Sequence, residues 1–161
     1  MGTGEGGLHR LAGGTSETAC SINEMEGNGM KKQAIESVAD IERFFDAFNR
    51  RDWEMVFQFV RDDCVWEASE KRLEGRKNML DYWTQDHVSF RETLGMPEKV
   101  VFGDRTVYLQ VKIRLDFLED GFFFGKSYRK GETIDFSCAD FYELDEDGKI
   151  RAGRVFTRFN P

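Results

Sequence analysis

Phe141-Tyr142-Glu143-Leu144-Asp145-Glu146-Asp147-Gly148-Lys149-Ile150 is a strand, an acidic turn closing on Asp-Gly, and the start of a second strand. That order commits the C-terminal part of the chain to a β-hairpin. Counting back from Tyr142 in steps of two, the apolar phase of the first strand runs through Cys138, Phe136 and Ile134. Asp140 falls in the same phase, so a carboxylate is expected on the inward face of the sheet, among neighbours that disfavour its charge.

Working outward, everything beyond Pro97 reads as sheet. Val100 to Phe102 is a brief strand, and Gly103-Asp104 turns the chain into Val107, Leu109, Val111, Ile113, Leu115 and Phe117, which alternate with Tyr108, Gln110, Lys112, Arg114 and Asp116. Alternation of that length predicts a long antiparallel strand covered on one face. Glu119-Asp120-Gly121 ends it, Phe122-Phe123-Phe124 follows, and the last hairpin runs from about Thr133 to Phe159. The N-terminal half has a different period. Val38, Ile41, Phe44, Phe45 and Phe48 recur at three- and four-residue spacings within Gln33–Arg50 and predict an amphipathic helix. Asp52 is placed to cap a second, shorter helix carrying Trp53, Val56, Phe57 and Val60. Cys64 to Ser69 is a short strand, Glu70-Lys71-Arg72 a polar loop, and Met79, Leu80, Trp83 and His87 form one stripe of a third helix beyond Gly75. Helices followed by sheet imply an α+β domain, three N-terminal helices packed on a strongly curved antiparallel sheet.

Composition narrows the class of function. Fifteen Phe, four Tyr and three Trp in 161 residues supply either an unusually aromatic core or the wall of an apolar pocket. A net charge of −7 opposes nucleic-acid binding, which needs a basic surface. Cys20, Cys64 and Cys138 are odd in number and widely spaced, so neither a disulfide framework nor a zinc site is expected, in keeping with a reducing cytoplasm. No apolar stretch reaches the length of a membrane span. Residues 1–29 are rich in Gly, Ser and Thr and precede Met30-Lys31-Lys32, which resembles a translation start. They are expected to be a flexible tail or leader, with residues 30–161 forming a single domain.

Asp52-Trp53, Asp62-Asp63-Cys64-Val65-Trp66-Glu67, Glu74-Gly75-Arg76 and Asp147-Gly148-Lys149-Ile150, in that order across about residues 35–159, resemble the nuclear transport factor 2-like superfamily. Within it the chain is similar to SnoaL-like and ketosteroid-isomerase-like proteins. The resemblance implies a cone whose open end holds a small-molecule pocket, and a homodimer formed through the outer sheet face. Aligned on these motifs, the oxyanion tyrosine of the ketosteroid isomerases falls on Phe44 and their basic aspartate on Ala68. Neither residue can do that chemistry. Their second aspartate falls on Asp140. The final-strand acid of SnoaL-type cyclases and limonene epoxide hydrolases falls on Val155.

The same alignment implies the pocket wall: Phe44 and Phe48 from the first helix, Trp66 and Ala68 from the first strand, and Tyr82, Trp83 and His87 from the third helix. Cys138 and Asp140, then Val155 and Thr157, complete it on the last hairpin. Such a wall suits a flat hydrophobic ligand. His87, the only imidazole beyond residue 29, facing the buried Asp140, would pass a proton between two carbons of a substrate, with the acid fixing its tautomer. The alternative is that His87 caps the third helix and Asp140 bonds a backbone amide or a Tyr. Nucleotide, serine-hydrolase and zinc-protease motifs are absent from the sequence, so those chemistries lack support, and the resemblance to SnoaL-like proteins implies a cofactor-independent enzyme, an isomerase, cyclase or dehydratase. The competing expectations are a non-catalytic ligand-binding or dimerisation module, and a protein-interaction module using Phe122-Phe123-Phe124.

Overall fold

The computed structural model describes residues 33–68 and 71–158. The expected tail at residues 1–29 lies outside them. Helix α1 (Val38–Asn49) buries Ile41, Phe44, Phe45 and Phe48, the stripe its spacing predicts. Arg51, in the left-handed region at φ 62°, turns the chain sharply. Asp52 then accepts a hydrogen bond from the Met55 amide at 3.1 Å and starts α2 (Trp53–Phe59).

Strand β1 (Val60–Ala68) hairpins onto β2 (Lys71–Glu74), the segment expected as a polar loop. It is a four-residue, largely exposed edge strand with charged side chains, a composition that resembles loop because edges are kept polar. Helix α3 (Arg76–Asp81) does not continue through His87 as expected. It widens into a π-helical turn at Tyr82–Asp86, and His87 lies just past its end. Apolar spacing alone does not separate an α-turn from a π-turn, and π-turns cluster at functional sites.

The remaining strands are β3 (Phe90–Gly103), β4 (Thr106–Phe117), β5 (Gly121–Phe123), β6 (Lys126–Tyr128), β7 (Thr133–Leu144) and β8 (Ile150–Arg158). The main sheet has the order β2-β1-β8-β7-β4-β3 and is not closed; β5 and β6 form a separate two-stranded ribbon. One expectation is corrected here. The sheet is mixed, because β8 pairs antiparallel with β7 but parallel with β1. Side-chain alternation is identical in both kinds of pairing, so direction could not be read from it. A second correction concerns β3, which begins ten residues before Val100. Its register slips on both sides of Pro97, and those irregularities break the alternation that would have marked it.

The C-terminal hairpin forms as its sequence dictates. Asp145 accepts the Asp147 and Lys149 amides through Oδ1, each at 2.9 Å, and Gly148 adopts φ 73°. The helices cover one face of the curved sheet. The core between them holds the inward phases of β4 and β7 together with α1, α2 and Trp66 of β1. These residues belong to one compact unit, Lys31–Pro161. No helix among the described residues is long and apolar enough to cross a membrane.

Candidate functional site

A cavity of about 340 Å³ opens between the helices and the concave face of the sheet. Every residue named above as pocket wall lines it: Phe44 and Phe48, Trp66 and Ala68, Tyr82, Trp83 and His87, Cys138 and Asp140, Val155 and Thr157. Their placement follows from the register. Ala68 pairs with Val155 across β1 and β8, and Val155 pairs with Asp140 across β8 and β7. The three strand positions at which the resemblance expects acids are therefore cross-strand neighbours in one row. Only Asp140 is acidic.

The apolar wall is built from rings. Trp83 of the π-turn stacks on Trp53 at 5.9 Å and meets Trp66 and Phe48 edge-on at 5.7 and 5.5 Å. Trp66 reaches this position because β8 carries Gly153 beside it; a Cβ there would run into the indole ring. At the mouth, Phe123 packs on Phe90 at 5.2 Å and on Phe136 at 5.8 Å, so the β5–β6 ribbon folds over the cavity. Phe122 stays largely exposed. Lys71 and Asp86 form an ion pair at the cavity lining.

Against this apolar wall the polar groups are few. Asp140 is 7 % exposed. Tyr142 donates its hydroxyl to Asp140 Oδ2 at 2.8 Å, while the buried Oδ1 has no partner among the described residues. Burial pushes the Asp140 carboxyl up to about 7; the Tyr142 hydrogen bond works against that rise and the charge of Glu92 adds to it. Tyr142 is itself driven well above the usual phenol range, first by burial and then by the Asp140 charge. Its ring meets Phe44 edge-on at 6.2 Å. Burial also raises the Cys138 thiol to about 12, and its sulfur lies 3.4 Å from the Thr157 hydroxyl.

The expected pairing of His87 with Asp140 is not found. Asp140 is held by a tyrosine, as the alternative allowed, and the carboxylate beside His87 is Glu92, whose Oε2 lies 3.4 Å from Nδ1. Both side chains of that pair are about 15 % exposed and line the cavity. The imidazole is wedged between Tyr82 and Phe90, at centroid distances of 4.3 and 4.7 Å, and does not cap the helix. Glu92 is an acid of the cavity lining that sequence reasoning missed. Its signal was present: Phe90, Glu92 and Leu94 are in one strand phase, the pattern that singled out Asp140. Among the described residues no cluster of His, Cys, Asp or Glu is suited to holding a metal ion.

Three helices against an open, curved sheet, with an apolar cavity entered from one end, define an α+β cone of the nuclear transport factor 2-like class. The model of the SnoaL-like domain matches residues 41–153. The chain belongs to that family. No curated protein matches the sequence. Among solved structures it is similar to a SnoaL-like polyketide cyclase from Agrobacterium tumefaciens, with 17% identity, TM-score 0.62, and coverage of 77% of this chain and 93% of that one. It is also similar to an LEH-like epoxide hydrolase from M. tuberculosis, with 16% identity, TM-score 0.58, and coverage of 75% and 81%. A third is an NTF2-like protein of unknown function from Burkholderia pseudomallei, with 11% identity, TM-score 0.60, and coverage of 73% and 87%. At these identities the likeness establishes the fold and leaves the activity to the site.

Proposed function

We propose that the protein binds a small hydrophobic molecule and moves a proton within it, as a cofactor-independent isomerase, cyclase or dehydratase. The observation that carries this reading is the unpartnered Oδ1 of Asp140, a buried carboxyl in the wall of an apolar cavity. A group buried without a second partner is costly unless something else uses it. A carboxyl with its pKa near 7 keeps a proton over much of the neutral range, so Oδ1 donates a hydrogen bond to a substrate oxygen as negative charge develops there. His87 exchanges the substrate proton. The rings of Phe48, Trp66 and Trp83 hold the ligand and exclude water.

The same reading makes the protein a cytoplasmic homodimer. Cys64 and Cys138 are free and buried. On the outer sheet face, Val101, Tyr108 and Phe156 are each more than half exposed and surround a shallow groove with Phe141.

The probe is 2-tetralone, an enolisable bicyclic ketone, followed by tryptophan fluorescence for binding and by deuterium exchange at its acidic carbon for proton transfer. Saturable quenching together with protein-dependent exchange is expected, and Asp140→Leu and His87→Ala should each lower the exchange by about 10²–10⁴-fold, to a residual rate that can still be followed. Quenching without any protein-dependent exchange would favour the non-catalytic binding module.

A further inference from the structure

Two carboxylates line the cavity and their surroundings differ. Asp140 faces Tyr142 and Cys138 on its own strand and, among the described residues, no cation, whereas Glu92 of β3 faces His87 and has Tyr82 of the π-turn and Arg51 of the α1–α2 turn nearby. β3 is fixed from the helical side at this point. Asn49 at the end of α1 donates to the Leu94 carbonyl and accepts from the Leu94 amide, both at 2.8 Å, and Arg51 donates to the Glu92 carbonyl at 2.9 Å. An inward acid on an otherwise irregular strand is thus pinned at the residues that bring it to the imidazole. His87 Nε2 has no hydrogen-bond partner among the described residues.

We infer that Glu92 is the positioning residue for His87: its carboxylate takes the Nδ1–H, fixes the tautomer, and leaves Nε2 as the atom that accepts the substrate proton. This assignment rests on the proton-transfer reading above. The step balances without any co-reactant. A substrate C–H bond breaks, an N–H bond forms at Nε2, and the released electron pair moves onto the carbonyl oxygen, which is hydrogen-bonded by protonated Asp140. The ionised Glu92 stabilises the imidazolium, and return of the proton to carbon restores the pair. The 3.4 Å separation is compatible with this, since such contacts tighten when substrate binds. Glu92 has a second effect. Its charge reaches Asp140 and favours the protonated form of that group.

The test uses the full chain and 2-tetralone. Glu92→Gln should lower the exchange rate by about 10²-fold, the loss that misplacing a reacting group by about 1 Å produces. In a His87→Ala background the same change should cost nothing further, because Glu92 acts through His87. The alkaline limb of the pH–rate profile, which reports Asp140 losing its proton, should move to lower pH in Glu92→Gln and stay in place in Glu92→Asp. A purely structural role would not move that limb, and circular dichroism with tetralone quenching checks that each variant folds. Equal losses from Glu92→Gln with and without His87 would overturn the assignment, as would an unmoved limb. If Asp140→Leu and His87→Ala lower exchange as expected while Glu92→Gln keeps the wild-type rate, Glu92 alone is excluded. Wild-type exchange in Asp140→Leu or His87→Ala, or no exchange in the wild type, would remove the proton-transfer reading and this one with it.

Discussion

Replacing Asp140 with Asn removes the titration and keeps the shape, because the amide oxygen can still accept the Tyr142 hydroxyl that now reaches Oδ2 at 2.8 Å. In the folded protein the Asp140 carboxyl is raised from 3.8 to about 7, chiefly by burial. The unfolded chain releases this proton near pH 4, whereas the folded chain holds it until about pH 7. Between those values the folded state binds more protons than the unfolded one, so raising the pH costs stability. The difference of about three pH units corresponds to about 4 kcal/mol at pH 8, at about 1.4 kcal/mol per unit. Urea unfolding of wild type and Asp140→Asn at pH 4, 5.5, 7 and 8.5 reads this directly. Near pH 4 the two should be nearly equal. The variant should gain on the wild type through the interval and exceed it by a few kcal/mol above pH 7. A stability difference that does not change with pH would show that the Asp140 carboxyl is not held protonated by its surroundings, and would remove the donor on which the proposed chemistry depends.

Other changes probe the geometry more locally. Gly153→Ala puts a methyl group into the Trp66 ring and should cost about 1–3 kcal/mol in urea unfolding while shifting tryptophan emission; unchanged emission would mean Trp66 does not depend on this close approach. Tyr108→Glu combined with Phe156→Glu charges the exposed outer face and should convert a dimer to a monomer in light scattering, whereas a monomeric wild type at micromolar concentration would refute the dimer.

Much of the cavity wall was legible because two kinds of information coincided. Period-two alternation put Cys138, Asp140 and Tyr142 on one face, and the order of the short motifs set which residues of β1, β7 and β8 share a row. The observed pairing of Ala68 with Val155 and of Val155 with Asp140 shows why the carried-over positions converge on one cavity. Three features were not legible, each for its own reason. The parallel pairing of β1 with β8 depends on the long connection between them and leaves no trace in either strand. Glu92 shares a strand phase with Phe90 and Leu94, but the irregularity at Pro97 cuts that phase short, so the signal was too brief to mark a strand. His87 was assigned to Asp140 because a regular third helix placed it in the apolar stripe; the π-turn at Tyr82–Asp86 leaves it beside Glu92 instead.

The apolar residues at Ala68 and Val155 bear on how Asp140 can act. Two ionised carboxylates on adjacent strands repel and make each other weaker acids, while each also draws in water and counter-charge that favour ionisation. With Ala68 and Val155 in the row, Asp140 has neither an acidic neighbour at those positions nor the hydration such a neighbour would bring. Burial becomes the first cause of its raised pKa, and its one polar side-chain contact is a phenol that is itself a very weak acid there. An acid in such a setting is a poor base at low pH and a good hydrogen-bond donor near neutrality. In the proposed reaction the proton acceptor is His87, which lines the same cavity with Glu92 beside it. On the proposed reading, apolar residues at the other two positions of the row leave Asp140 the donor role and place the base on His87, just past the π-turn and beside Glu92 of β3.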